Sequence, residues 1–530
     1  MAMQTRKWAR QTIKYILAKI AWLIWWRHRP GVIGVTGSVG KTSTKLAIAE
    51  VLKPDYRVRC SPGNLNTEFG LPLVLIGGWT DDQLQNVSWE APPTIGRWRK
   101  GWFWLGVICR GLKVLLTRQA DYPEILILEY GADRPGDIHQ LLQIIEPNVS
   151  VVTAVGEIPV HGEHYSGTEE VVREKAGLVE CLPAAGFTAL NCDDPRVLAV
   201  ARRTRAQVLT YGFAREAQLR ISGLEHRVKR IVDQEKFQLA GARPWGVVFK
   251  LEYGSVAAPV RMAGVFGRAQ VYAAAAAAAI GIIFGLKLED IAARLGQYQP
   301  PPGRATLLPA IKDSYLLDDS YNASPLSVRL ALETLAALPG RRKVAILGDM
   351  LELGPQSDEA HEQIGRLAAG SADVLITVGR NAKHIAAGAR AEGMPQARIW
   401  SFNETSDEAI AAAQRLVAPG DLILVKASHA MHFADFVVQL RRAGQDGAEP
   451  EVRPLANFVP QSRPLPPFRP TVWPTVLSAQ RKSATIPRRK LVRVMEKKKA
   501  RAVRSPPSQP VLTKSNRSVA KPAVGHEPLI

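Results

Sequence analysis

A glycine-rich stretch near the beginning of the chain has the composition and spacing of a phosphate-binding loop. Residues 34–43 read GVTGSVGKTS, after a short apolar run and before a stretch with helical spacing. Glycines let a backbone wrap around phosphate oxygens, and the following helix offers unpaired N–H groups at its first turn. We expect Lys41 to reach the β- and γ-phosphates and Thr42 to hold Mg²⁺. The nucleotide-binding residues predicted here are Gly37, Ser38, Gly40, Lys41, Thr42 and Ser43.

Further polar motifs follow along the chain. They are SPGNLN at 61–66, LEYGA at 128–132, PGDI at 135–138, NCDDP at 191–195, DDSYNASP at 318–325, LGDMLELG at 347–354 and VKAS at 425–428. His161 and Lys175 stand between the third and the fourth of them. Together with TGSVGKTST at 36–44, this series resembles the Mur ligase family. The motifs at 318–325 and 347–354 are similar to its branch that adds D-alanyl-D-alanine.

The resemblance implies an ATP-dependent ligase that forms an amide bond. A carboxylate is a poor acyl donor, so ATP first converts it to an acyl phosphate, which an amine then attacks. The implied substrates are a peptidoglycan precursor carboxylate and a dipeptide or amino acid, with D-alanyl-D-alanine as the expected amine. The first step brings negative oxygens together, which requires fixed positive charge from Lys41 and two Mg²⁺ ions.

The resemblance also implies which side chains hold the two ions and carry out catalysis. Thr42 and Glu129 are expected at one Mg²⁺, and His161 and Lys175 at the other. Because Mg²⁺ prefers hard oxygen ligands, carbamylation of Lys175 would turn a cation into a suitable anionic ligand. Lys41, Lys175 and His161 form the expected catalytic set.

A second group of residues is expected to complete the site from farther along the chain. By resemblance, Asp319 and Tyr321 contact the nucleotide and Arg304 its phosphates. Closure of two domains would assemble the site and exclude water, which would otherwise hydrolyse the acyl phosphate. The acidic pair at 193–194 is expected to cap a helix or shape a turn. The expected substrate contacts are Asn64, Asn66, Asn322, Lys426 and Ser428.

Strands that alternate with helices must position these residues. Short apolar runs end in loops rich in Gly, Asp and Asn, and stretches with helical spacing separate the runs. Such runs occur at 32–35, 125–129, 151–155 and 188–190, and again at 315–318, 343–347, 373–377, 398–401 and 422–425. The predicted fold class is α/β, with a central P-loop-type parallel-sheet ATPase domain and a smaller Rossmann-like C-terminal α/β domain. Between the two sets, residues 214–262 predict an antiparallel patch and 270–295 predict helix.

Composition divides the chain into four segments. We expect a basic, aromatic N-terminal segment at 1–30 and a central ATP-binding domain at 31–302, with a Trp-rich insertion at about 79–122. A C-terminal domain is expected at 303–445. The basic, Pro-rich residues 446–530 predict a disordered tail.

The net charge of +21 is carried by the two ends of the chain. Residues 1–33 hold seven Lys or Arg and no acidic residue, and residues 451–530 hold 17 against three. Since the body between them is balanced, the charge argues against a nucleic-acid-binding protein. Residues 6–29 and 98–118 combine basic and aromatic side chains, which predicts contact with a membrane surface; packing on the body is the alternative. Together with four scattered cysteines, this predicts a cytoplasmic protein, peripheral at the inner face of the membrane.

The chain also departs from the family pattern. Before the phosphate-binding loop there are 33 residues, where full-length members carry a UDP-binding domain, so that domain is expected to be missing. The stretch GRAQVYA at 267–273 lacks the family's His and two Asn, and Ala427, His429 and Ala430 replace Gly, Arg and Gly. Two alternatives therefore stay open: a Mur-like ligase for a different amide, and a catalytically weakened nucleotide-binding scaffold of the cell envelope.

Overall fold

The computed structural model describes residues 2–61, 63, 65–80, 83–84, 97–117, 121–158, 162–230 and 242–441. For residues 2–10, 97–100, 229–230 and 242–243 it describes the backbone alone. The predicted site residues Asn64 and His161 and the predicted tail at 446–530 lie outside the described residues.

A nine-stranded sheet carries the first set of predicted strands. Its order is β2-β3-β1-β4-β5-β6-β7-β8-β9. Neighbouring strands are parallel from β2 to β7 and antiparallel from β7 to β9, so the predicted antiparallel patch is confirmed. The strands are β1 Gly31–Thr36, β2 Val58–Cys60, β3 Ile125–Glu129, β4 Val149–Val152, β5 Phe187–Asn191, β6 Gln207–Gly212, β7 Leu219–Arg230, β8 Ala242–Tyr253 and β9 Val256–Ala263.

Helices cover this sheet. They are α1 Ala2–His28, α2 Lys41–Leu52, α3 Gly70–Ile76, α4 Arg97–Leu116, α5 Asp137–Leu142, α6 Thr168–Glu180, α7 Pro195–Ala199, α8 Arg268–Ile283 and α9 Leu288–Leu295, with a 3₁₀ turn at Val200–Arg203. The alanine run at 273–279 in α8 is buried throughout. Alanine favours helix and is small, so α8 packs closely on α2; a Cβ at Gly281 would lie 3.0 Å from Val51 Cγ1.

A six-stranded sheet carries the second set of predicted strands. Its order is β10-β11-β15-β12-β13-β14; β10 runs antiparallel to β11 and the remaining neighbours are parallel. All five predicted runs are strands here, which confirms the α/β class. The elements are β10 Thr306–Ala310, β11 Ser314–Asp318, α10 Pro325–Ala337, β12 Arg342–Gly348, α11 Ser357–Ser371, β13 Val374–Val378, α12 Ala382–Ala391, β14 Ile399–Phe402, α13 Asp407–Leu416, β15 Asp421–Lys426 and α14 Ala434–Leu440, with 3₁₀ turns at Gly354–Gln356, Gln396–Arg398 and His429–Met431.

Helices α1, α3 and α4 form a layer beside β3. Their shared core is Leu17, Ile20, Ile24, Leu73, Ile76, Val107, Val114 and Tyr122. The basic, aromatic stretches at 6–29 and 98–118 thus lie largely in α1 and α4, and part of each helix packs in this core. Within the described residues, no helix combines the length and apolarity that crossing a bilayer requires.

Candidate nucleotide and metal site

The loop between β1 and α2 depends on two glycines and a threonine. Gly40, with φ +88°, adopts a left-handed conformation that side chains other than glycine's rarely allow. A Cβ at Gly37 would overlap the Oγ1 atom of Thr153, which follows β4. The Thr153 hydroxyl donates to the Val39 carbonyl at 2.6 Å. This contact holds the loop open at the carboxyl edge of the sheet, where α/β proteins bind ligands.

Lys41, the first residue of α2, folds its side chain back over this loop. Its Nζ donates to the Gly37 carbonyl at 2.8 Å. Burial lowers the pKa of Lys41, Glu129 and Asp133 raise this pKa in part, and Arg304 lowers it further. These charged groups therefore lie close to the lysine. A cation in this position suits the terminal phosphates of a bound nucleotide.

Glu129 ends β3 as a buried carboxylate facing the same loop. Thr42 Oγ1 donates to Oε2 at 3.2 Å and Asn66 Nδ2 donates to Oε1 at 3.4 Å. Burial raises the pKa of Glu129, but the ammonium groups of Lys45 and Lys41 outweigh this and hold the pKa below its ordinary value. The carboxylate is therefore ionised at neutral pH, as a metal ligand must be.

Lys45 is a functional candidate that the sequence reasoning missed. The side chain is fully buried, and Nζ donates to Ser61 Oγ at 3.0 Å and to the Gly63 carbonyl at 2.7 Å. It also pairs with Glu129 Oε2 at 3.3 Å. The one signal in the sequence is its position four residues after Lys41, which places both lysines on the same side of α2.

Lys175 lies buried in α6. Burial, and after it the charge of Lys41, lower its pKa to about 7, against the opposing effects of Asp133, Glu174 and Asp137. Lys175 and Lys41 are therefore close enough to interact electrostatically. At neutral pH a large fraction of this amine is uncharged.

The six-stranded sheet contributes a second polar group. Lys426, at the end of β15, is buried and pairs with Asp319 Oδ2 at 2.6 Å; its Nζ also donates to the Asn322 carbonyl at 2.9 Å. The Arg304 guanidinium lies over the Tyr321 ring, 4.2 Å from its centroid. Arg304 also lowers the pKa of Lys41 and of Glu129, so its charge acts on the phosphate-binding loop.

Ser428 and the LGDMLELG motif are bonded to each other. The Leu351 N–H donates to Ser428 Oγ at 2.9 Å, and the Ser428 N–H donates to the Asp349 carbonyl at 3.0 Å. Asp349 Oδ1 accepts the N–H groups of Asn381 and Ala382. The Asp349 side chain therefore fixes the loop before α12. The hydroxyl of Ser428, which was predicted to contact the substrate, accepts a hydrogen bond from the LGDMLELG motif.

The acidic pair at 193–194 shapes turns, as predicted. Asp194 caps α7 by accepting the Arg196 N–H at 3.0 Å and also accepts the Val155 N–H at 2.9 Å. Asp193 accepts the Phe213 N–H at 2.7 Å. Both carboxylates are therefore committed to holding neighbouring loops together.

The altered stretch 267–273 contributes a buried hydrogen-bond chain. Gln270 Nε2 donates to the Arg304 carbonyl at 3.0 Å, and Tyr298 Oη donates to Gln270 Oε1 at 3.0 Å. A further hydrogen bond joins Tyr298 to Ser43 on α2. The Ser43 side chain, predicted to contact the nucleotide, thus turns toward Tyr298. These hydrogen bonds link the phosphate-binding loop to the beginning of the six-stranded region, and no family motif indicated them.

The structure brings the predicted residues together in two facing groups. The first surrounds the loop and contains Gly37, Ser38, Gly40, Lys41, Thr42, Ser43, Asn66, Glu129 and Lys175. The second belongs to the six-stranded region and contains Arg304, Asp319, Tyr321, Asn322, Lys426 and Ser428. The Gly162 N–H, which donates to the Glu352 carbonyl at 2.8 Å, adds a direct contact between the two parts of the chain.

Comparisons with known proteins agree with this arrangement. The family model for the Mur ligase middle domain matches residues 110–281, and the model for the Mur ligase, glutamate ligase domain matches residues 303–429. The UDP-N-acetylmuramoyl-tripeptide–D-alanyl-D-alanine ligase of Mycobacterium tuberculosis is 32% identical over 431 residues, which are 75% of this chain and 70% of that protein. The chain belongs to the Mur ligase family. It is an ATP-dependent peptide ligase.

Two further similarities extend along the chain. The ligase of the same name from Bacillus subtilis is 27% identical over 411 residues, 77% of this chain and 75% of that protein. The MurF ligase of Thermotoga maritima, solved in complex with ADP, superposes with a TM-score of 0.62 over 80% of this chain and 83% of that one. At 24% identity this second similarity establishes the shared fold.

Proposed function

We propose that this Mur ligase joins D-alanyl-D-alanine, or a similar amine, to a carboxylate of a peptidoglycan precursor. The names of the mycobacterial and Bacillus relatives support this substrate pair. We call the nine-stranded region the first lobe and the six-stranded region, from residue 303 onward, the second lobe. The observation that carries the proposal is Arg304 of the second lobe, which lies close enough to Lys41 and Glu129 of the first to change the pKa of both. Two lobes thus supply charge to one cleft, as transfer of a phosphoryl group to a carboxylate requires.

The residues of the cleft fit a two-step reaction. In the first step a carboxylate oxygen of the acceptor bonds to the γ-phosphorus of ATP, and ADP leaves. Lys41 and Arg304 place positive charge where these negative oxygens approach one another. In the second step the amine attacks the acyl carbon, the C–O bond to phosphate breaks, and the amine loses a proton. Packing of the two lobes keeps water from the acyl phosphate.

We propose that the site holds two Mg²⁺ ions. Thr42 and Glu129, whose oxygens are 3.2 Å apart, fit one ion, since Mg²⁺ takes few protein ligands and completes its shell with phosphate and water. Among the described residues no cluster of three or more His, Cys, Asp or Glu occurs, which agrees with so sparse a site. Lys175 and His161 are proposed for the second ion. The ions would neutralise phosphate charge during transfer.

Lys175 is proposed to carry a carbamate. An amine must be uncharged to add carbon dioxide, and burial of Lys175 lowers its pKa to about 7. The same burial shields the product from water, and the anionic carbamate would relieve the repulsion between Lys175 and Lys41. High-resolution mass spectrometry of protein kept in bicarbonate, under conditions that preserve carbamates, tests the modification.

The reaction is proposed to take place in the cytoplasm at the inner face of the membrane, where a lipid-linked acceptor would be available. Two other functions of the same fold are alternatives. The replacements at 427–430 favour a ligase for a different amine, because they change the side chains beside Tyr321. The centroid of the His429 ring lies 5.2 Å from that of the Tyr321 ring. A weakened scaffold would bind ATP without turnover.

The experiment is release of phosphate from ATP by the full chain, with a panel of precursor carboxylates and amines. We expect release that requires both an acceptor and D-alanyl-D-alanine, with an amide as the coupled product. The variant Lys41→Ala should abolish it. Release with another amine alone would favour the different ligase, and ATP binding without release under any combination would favour the scaffold.

A further inference from the structure

Two helices of the N-terminal layer leave large apolar side chains in solvent. On α1 these are Tyr15, Trp22 and Trp26, and on α4 they are Trp102, Leu105 and Leu116. They are exposed by 43% to 76%. A large apolar side chain left exposed singly is ordinary, but several of them on two helices that pack on each other indicate a contact surface. We call these six side chains the interfacial face.

The spacing places each set on one side of its helix. Residues 15, 22 and 26 follow the period of an α-helix, and so do residues 102, 105 and 116. The opposite sides hold the shared core of Ile20, Val107 and Val114. A Cβ at Gly111 would lie 2.6 Å from Ile20 Cγ2, so the two helices cross in close contact. The interfacial face therefore belongs to one packed unit and is not part of the core.

Cations border the interfacial face. Lys19 and Arg27 are exposed on α1, and Arg110 and Lys113 are exposed on α4. Neither helix contains an Asp or Glu. Aromatic rings prefer the headgroup zone of a bilayer, and Lys or Arg beside them are attracted to anionic lipid. A second copy of the chain would bring the same cations against each other, which disfavours self-association through this surface.

We propose that the interfacial face lies in the headgroup region of an anionic lipid bilayer. The proposal builds on the membrane location given above, and it names the surface that makes the contact.

The test is flotation of the full-length protein with vesicles of phosphatidylcholine, with and without added phosphatidylglycerol. Because the basic residues at 451–530 can also attract anionic lipid, the variants leave them intact. The double variant Trp102→Ser/Leu116→Ser should bind anionic vesicles on the order of tenfold more weakly than the unaltered chain, through loss of inserted apolar area. The matched control Leu367→Ser/Val438→Ser removes two exposed apolar side chains elsewhere and should bind as the unaltered chain does.

A charge-reversal pair supplies a second arm. Lys19→Glu/Arg27→Glu should weaken binding to anionic vesicles and leave the weaker binding to neutral vesicles in place. Equal flotation of the Trp102→Ser/Leu116→Ser variant and its control would overturn the proposal. So would a molar mass of two chains that falls to one in that variant, because the occupant would then be a second copy. Ligase activity with a water-soluble acceptor should be unchanged by these variants, so failure of the proposed reaction and failure of the lipid contact can be told apart.

Discussion

At the scale of single residues, the site is organised around the carboxylate of Glu129. Thr42, Asn66 and Lys45 all reach it, and each comes from a different part of the chain or from a different turn of α2. Lys45 also holds the residues around 61–63 against α2. Its ammonium thus fixes both the Glu129 carboxylate and the segment that precedes Asn66.

Replacement of Lys45 by methionine should lower the stability of the fold. The variant Lys45→Met leaves the buried carboxylate of Glu129 without its closest ionic partner, which typically destabilises a fold by about 3–5 kcal/mol. Urea unfolding measures this. The matched control is Lys53→Met, which removes the half-exposed partner of Glu50 and should change stability by about 1 kcal/mol or less. Equal effects of the two changes would show that Lys45 is not a structural partner of the site.

Lys175 should make stability depend on pH. Its pKa of about 7 in the folded protein lies below its ordinary value of 10.5, so the unfolded chain binds more protons between these two pH values. Stability contributed by this residue therefore rises with pH, by at most about 1.4 kcal/mol per unit. In bicarbonate-free buffer, Lys175→Met should stabilise the protein most below pH 7, and this gain should shrink toward pH 10. A gain independent of pH, measured by urea unfolding, would contradict the assignment.

At the scale of elements, a buried series of hydrogen bonds joins α2 through Tyr298 and Gln270 to the Arg304 carbonyl. It ties the loop that should bind ATP to the segment from which the second lobe begins. The family's His and two Asn are absent from 267–273, but the stretch has acquired this structural role.

The phenol of Tyr298 is the centre of that series. Tyr298→Phe removes one hydroxyl and leaves the buried Gln270 carbonyl unpaired, which should destabilise the fold by about 1–3 kcal/mol and raise the KM for ATP. Tyr253→Phe, at the half-buried end of β8, is the matched control and should change neither quantity. An unaltered KM together with reduced stability would mean that these hydrogen bonds support the fold without positioning the nucleotide.

The strands and the nucleotide loop could be predicted from sequence because their signals are local. The apolar runs at 315–318 and 422–425 are strands since buried parallel strands need continuous apolar residues. Lys45 could not be predicted, because its partners are brought close by tertiary folding. Ser428 shows the same limit: its motif indicated a substrate contact, which stays a prediction, and only the structure shows that its hydroxyl also accepts the Leu351 N–H. Long-range hydrogen bonding decides such roles, and residue spacing does not report it.

At the scale of the whole molecule, the two lobes meet through backbone and charge. The Gly162 N–H donates to the Glu352 carbonyl, and Val265 pairs with Thr306 across the junction. Arg304, two residues before Thr306, brings its guanidinium close to the charges of the phosphate-binding loop. The two lobes therefore contact each other in the folded chain.

Arg304 should matter for the chemistry more than for folding. Arg304→Ala removes the cation that we propose to face the transferring phosphoryl group, so kcat should fall about a hundredfold while the free energy of unfolding changes little. The matched control is Arg341→Ala, which removes an exposed arginine directly before β12 and should leave kcat unchanged. Steady-state kinetics with saturating ATP make the comparison. Equal kcat in both variants would remove Arg304 from the site.

The most direct test of the proposed acyl phosphate follows an isotope. The acceptor is prepared with ¹⁸O in its carboxylate and incubated with the full chain, ATP, Mg²⁺ and D-alanyl-D-alanine, and the released phosphate is analysed by mass spectrometry. If the carboxylate attacks ATP, one ¹⁸O passes into phosphate for each amide formed, and Lys41→Ala eliminates both. Amide formation with unlabelled phosphate, or phosphate release without an amide, would contradict the mechanism.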